Sequence, residues 1–171
     1  MTSLGLRMRP SALIIKQSVA LTALLVSGAG WAGGDHVGGH EHGKQETAIG
    51  KPGVSGKVDR TIVVEMRDTM RYSPSDIRVQ QGETIRLVVK NVGKVKHEFS
   101  LGTSKELLQH LEQMKKFPAM EHREPSKLSL APGKQGEIVW QFTRAGSVAF
   151  ACLMPGHYEA GMRGAVEVTK W

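Results

Sequence analysis

Apolar residues recur at every second position in five short stretches: Ile62, Val64 and Met66; Ile85, Leu87 and Val89; Ile138, Trp140 and Phe142; Val148, Phe150 and Cys152; and Val166 and Val168. A period of two puts alternate side chains on one face, so each stretch predicts a half-buried β-strand. Turn residues separate the stretches, among them Ser73-Pro74, Gln81-Gly82, Asn91 to Gly93, Ala131-Pro132-Gly133 and Ala145-Gly146. Short strands in close succession predict a sandwich or barrel. One segment departs from the pattern. Thr103 and Glu106 have the spacing of a capping box, and Leu107, Leu108, Leu111 and Met114 then recur at helical spacing, which predicts a single helix between strands. Lys115 to Pro125, with Phe117-Pro118 and Met120, reads as an irregular loop inserted between that helix and the sandwich.

Neither periodicity reaches the N-terminus. Arg7, Arg9 and Lys16 precede an apolar run from Val19 to Val26, and Gly30 and Ala32 flank Trp31. This is the layout of a cleaved signal peptide over residues 1–32. The run falls far short of the ~20 apolar residues needed to span a bilayer as a helix, so no membrane span is expected after cleavage. Met8 separates the two arginines, which argues against a twin-arginine signal and for export of an unfolded chain by the general secretion route. Residues 33–57 are rich in glycine, histidine and polar side chains and predict a flexible tail. One folded domain is then expected over residues 58–171, which suits a chain of 171 residues.

Export would remove three basic side chains and no acidic ones, lowering the formal charge from +7 to +4. That balance is only mildly basic, and no basic run is interleaved with aromatics, so nothing makes a case for nucleic acid and no nucleic-acid partner is expected. The charge hints at most at an acidic partner surface, and a monomer is expected.

Cys152 is the single cysteine. It has no partner for an intramolecular disulfide, and a lone thiol in an oxidising compartment needs burial or ligation. Cys152 to Met162 offers the Cys152 thiolate, the His157 imidazole and the Met162 thioether within eleven residues. Soft sulfur combined with imidazole favours copper, and two His and one Cys with a weak axial Met is the donor set of electron-transfer copper sites. Pro155-Gly156 and Ala160-Gly161 suit a loop that turns twice to bring these residues together. The second imidazole is assigned to His97, just beyond the Asn91 to Gly93 turn in the strand-like run His97 to Leu101. Its competitors are His110, on the predicted helix, and His122, in the polar insert; a rigid strand is the better support for a precise site.

Each of these residues also has a plainer role. Cys152 alone would pass for a small buried core residue, and Met162 for core filler, since related axial positions are taken by Gln or a backbone oxygen. Met154 reads as packing rather than coordination, and Met66 and Met70 as core or surface residues. Asp35-His36, His40 and His42 offer an accessory site for Cu(II) or Zn(II), with an unstructured soluble leader as the alternative. His110, Met114, Met120 and His122 form a second soft-ligand grouping, against which Met114 reads as the apolar face of the helix.

From about Val58 to Trp171 the sequence resembles the cupredoxins, the family of plastocyanin, azurin and auracyanin. The resemblance lies in His97 first, then the Cys152, His157 and Met162 loop, then the Val166-Glu167-Val168 ending. It implies an all-β Greek-key sandwich, here with one short helix in an insert between strands, holding one type 1 copper ion at His97, Cys152, His157 and Met162. The runs His97 to Gly102 and Ala151 to Met162, with the Met-bearing insert, are most similar to periplasmic copper-tolerance cupredoxins of the CopI type. Plastocyanins and azurins usually place Asn after the first histidine, whereas Glu98 stands here, so the resemblance leaves open the outer hydrogen bonding around the sulfur and, with it, the colour and potential of the site.

A site with four protein donors has no open position for a substrate, which suits one-electron transfer rather than turnover. Related oxidases flank the cysteine with histidines, whereas Ala151 and Leu153 flank it here, and no enzyme is expected. Two roles share this site: copper tolerance in the periplasm, and diffusible electron transfer with a redox partner protein. The His-rich leader and Met-bearing insert favour copper handling.

Overall fold

The computed structural model describes residues 46–117 and 124–171. The expected signal peptide, His36, His40, His42, Met120 and His122 lie outside the described residues.

The described residues form two five-stranded sheets. The first has the order β1 (Lys51–Pro52), β8 (Gln135–Gln141), β5 (Thr84–Asn91), β2 (Arg60–Arg67), β3 (Arg71–Ser73). The second has the order β4 (Asp76–Gln80), β10 (Arg163–Thr169), β9 (Gly146–Ala151), β6 (His97–Gly102), β7 (Lys127–Leu130). β2 pairs in parallel with β5, as does β4 with β10, and the remaining pairs are antiparallel. The expected sandwich is present, and the alternating residues that predicted it supply its interior. Val64, Met66, Ile85, Leu87, Val89, Ile138, Trp140, Val148, Phe150, Val166 and Val168 are all buried in one cluster.

Helix α1 (Ser104–Lys116) begins where the capping box predicts. The Thr103 hydroxyl accepts from the Glu106 N–H, and the Glu106 carboxylate accepts from the Thr103 N–H. Two donors at the helix start are thereby satisfied. Leu107, Leu111 and Met114 form a second cluster with Ala149, Ala151 and Leu153. β9 explains this arrangement: its large residues Val148 and Phe150 join the sandwich core, while the intervening alanines give the helix a close seat on the other face. Leu108 departs from the expected stripe and is exposed, because one residue turns the helix by about 100° away from Leu107.

Four short strands carry no signal in the sequence pattern: β1, β3, β4 and β7. Regular structure also begins before residue 58, inside the segment expected as a flexible tail. Lys51 and Pro52 pair with Gln141 and Trp140, Ile49 is buried, and the Trp140 indole N–H donates to the Ile49 carbonyl at 2.9 Å. A two-residue strand cannot show an alternating pattern; the partner strand β8 and the Trp140 indole create this structure.

This anchoring is testable. Ile49 is 5% exposed and Val54, a few residues on, is 62% exposed. Ile49→Ala is expected to lower the unfolding free energy in urea by about 2 to 4 kcal/mol, the range of buried aliphatic truncations. Val54→Ala should stay within about 0.5 kcal/mol of the parent. Equal effects would mean that the segment before Val58 is solvated.

Candidate metal centre

β6 and β9 are neighbours in the second sheet, paired at Ser100 with Ala151 and Leu101 with Phe150. The same register continued by two or three residues faces the start of β6 with the residues that follow β9. His97, the first residue of β6, therefore meets the loop of Cys152 and His157. His97 and Cys152 are fully buried and His157 is partly exposed.

One ligand atom from each of these three side chains lies within 4.8 Å of the others. His97 Nδ1 is 3.3 Å from His157 Nδ1, and Cys152 Sγ is 3.3 Å from His157 Nδ1. Among the described residues this is the one group of three or more His, Cys, Asp or Glu side chains arranged to hold a metal ion. The loop that supplies two of them is tied by its own backbone. The Cys152 N–H donates to the Met162 carbonyl and the Met162 N–H to the His157 carbonyl, both at 3.0 Å. The chain thus returns beside the cysteine after a double turn, with Gly156 and Gly161 at positive φ of 85° and 99°, where a side chain would be strained. Met162 is fully buried in the same cluster as Cys152.

The sulfur is held from β6 as well. The Glu98 backbone N–H donates to Cys152 Sγ at 3.3 Å, and the Tyr72 hydroxyl donates to the Glu98 carbonyl. Tyr72 packs edge-on against Phe99 and Phe150, which stack on each other with centroids 4.9 Å apart. The replacement of Asn by Glu after His97 therefore leaves a main-chain donor on the sulfur, because the bond uses the amide and not the side chain. The Glu98 carboxyl is pushed up from the usual carboxylate range by burial.

Asp68, immediately after β2, completes the surroundings of His97. Its Oδ1 lies 3.0 Å from His97 Nε2. Hydrogen bonds from the Lys94 N–H and then from His97 hold its carboxyl below the ordinary value. The sequence carries no signal for this role, since an acidic residue in a turn is unremarkable. His110 and Met114 belong elsewhere: both are buried on α1, and Met114 packs in the cluster with Ala151 and Leu153.

The chain belongs to the plastocyanin/azurin family of copper binding proteins, whose family model matches residues 58–169. It is 47% identical over 161 residues to the copper-resistant cuproprotein CopI of Rubrivivax gelatinosus, covering 94% of this chain and 96% of the relative. The protein of the same name from Vibrio cholerae is 36% identical over 121 residues, covering 70% of this chain and 72% of the relative. Among solved structures, an auracyanin from Roseiflexus castenholzii superposes with a TM-score of 0.55 at 20% identity, covering 66% of this chain and 98% of that one. An azurin from Methylomonas sp. strain J gives 0.54 at 16% identity, covering 66% and 99%. At such identities these two speak for the fold alone.

The protein is thus a copper-binding cupredoxin, and the donor set fits the ion: two imidazoles and a thiol converge, soft and nitrogen donors together, in a buried pocket. Burial pushes the Cys152 thiol from about 9 up to about 11, opposed by hydrogen bonds from backbone amides. In the metal-free protein the thiol is therefore neutral at pH 7. An unfolded chain ionises this thiol first as pH rises, so folding is favoured fully below about pH 9 and progressively less up to about pH 11. The loss should reach about 2 to 3 kcal/mol. Urea midpoints of metal-free protein between pH 8 and 11, compared with Cys152→Ala, measure it; parallel curves for the two proteins would refute the buried neutral thiol.

Proposed function

We propose that this protein is exported to the periplasm, holds one copper ion through His97, Cys152, His157 and Met162, and serves copper tolerance. The convergence of the His97, Cys152 and His157 donors within 4.8 Å carries the site assignment. Met162 joins them on its burial and its backbone ties to Cys152 and His157. Bound copper would supply a one-electron couple with an intense thiolate-to-metal absorption. The residues contribute the rest: β6 and the two-turn loop fix the donors beforehand, the Glu98 amide supports charge on the sulfur, and the buried surroundings exclude water. Such a site binds and exchanges an electron with little rearrangement, which favours sequestration and electron exchange over turnover.

Copper tolerance is preferred because the relative that matches nearly the whole chain bears the name copper-resistant cuproprotein. Export is supported by the basic, apolar and small-residue order of residues 1–32, and no helix among the described residues is long and apolar enough to cross a membrane. The His-rich segment before residue 46 is consistent with copper handling as well.

Two measurements test this. Copper-loaded protein should show an intense visible band and an electron paramagnetic resonance signal of thiolate-bound Cu(II). Cys152→Ser should abolish both, and a band that survives the substitution would refute the ligand set. A strain lacking the gene should lose growth at elevated copper while respiring normally; a respiratory defect without copper sensitivity would instead identify an electron carrier.

A further inference from the structure

We infer that Asp68 is a positioning residue for the copper site: its carboxylate holds His97 in the tautomer that leaves Nδ1 bare toward Cys152 and His157. This rests on the ligand set proposed above. His97 is fully buried, so its two ring nitrogens find their partners inside the protein. Nε2 faces Asp68 Oδ1 at 3.0 Å and Nδ1 faces His157 Nδ1 at 3.3 Å. An ionised carboxylate only accepts hydrogen bonds. Asp68 therefore requires the proton on Nε2, and in a neutral ring that leaves a lone pair on Nδ1, the atom turned toward the other donors. Partners of this kind orient a metal-binding imidazole and raise its basicity.

The carboxylate is itself clamped. Its Oδ2 accepts the Lys94 N–H at 2.7 Å, and Oδ1 the Val95 N–H at 3.4 Å. The same loop is braced by Asn91, whose side-chain NH2 donates to the Val95 and Leu130 carbonyls and whose side-chain oxygen accepts the Gly93 N–H. Gly93 lies against the pair. A Cβ there would stand 2.0 Å from Asp68 Oδ1 and 3.2 Å from His97 Nε2, so only glycine lets the backbone close over the carboxylate and imidazole. Three segments, the end of β2, the loop of residues 91–96 and the start of β6, thus meet at one hydrogen bond behind the ligand.

Asp68→Asn separates positioning from simple loop support. The amide keeps the shape and still offers one oxygen, which the Lys94 N–H can claim, but it then turns an NH2 group toward His97 Nε2. A donor at that point favours the proton on Nδ1, as when a carboxylate that orients a catalytic histidine is replaced by its amide. Nitrogen-15 NMR of the metal-free parent should show His97 protonated at Nε2, and Asp68→Asn should shift the population toward Nδ1. Copper affinity, measured by chelator competition, should fall about 10- to 100-fold. A parent His97 protonated at Nδ1 would overturn the inference without any variant, as would Asp68→Asn with parental tautomer and affinity, whatever its melting temperature. If Asp68→Asn does not fold, the tautomer in the parent decides. A thiolate band that survives Cys152→Ser would instead refute the ligand set, and the tautomer measurement on metal-free protein would be unaffected.

Discussion

The arrangement of this protein depends on the pairing of β6 with β9. His97 lies at the start of one strand and Cys152 just beyond the end of the other, and their register brings the two strand ends together. Strand pairing is stiff and repeats in fixed steps. A one-residue slip would turn Cys152 out of the interior and His97 away from it. The metal donors are thus located by the same hydrogen bonds that build the sheet, and their separation barely depends on the long insert between the strands.

Around that pairing the protein places three supports of different kinds. The aromatic cluster of Tyr72, Phe99 and Phe150 fills the interior below the site, and the Tyr72 hydroxyl, deep in that cluster, binds the carbonyl of the residue whose amide reaches the sulfur. Helix α1 covers the opposite face of β9 and packs on Leu153 and Tyr158 of the ligand loop. The loop of residues 91–96 covers His97 through Asp68. Packing, backbone hydrogen bonding and a carboxylate each restrain a different donor, which gives the preorganisation that a metal site with little rearrangement requires.

Glu98 shows how a side-chain change can leave a site intact. The residue after the first histidine differs from the Asn usual in plastocyanins and azurins, yet its main-chain N–H still reaches Cys152 Sγ. Main-chain donors are set by strand geometry and are indifferent to the side chain they carry. What the side chain does change is charge: the Glu98 carboxyl acts electrostatically on the Cys152 thiol, and its own burial shifts it toward the neutral form.

The periods of two along β2, β5, β8, β9 and β10 and the capping box at Thr103 were legible in the sequence because each is a local rule, with side chains alternating about a strand and a hydroxyl answering an amide three residues on. The Cys152 to Met162 run was legible for the same reason, since its donors and turns lie within one loop. Interactions between distant segments decided the rest. β1 forms because β8 offers an edge and Trp140 a hydrogen bond, and Asp68 matters because Gly93 and His97 arrive beside it from other parts of the chain. Alternation and spacing are properties of neighbours in sequence, so the sequence by itself determined the alternating strands, the helix and the chemistry of the donors. Where β1 pairs, and which carboxylate stands behind His97, depends on contacts across dozens of residues, and only the tertiary structure decided those.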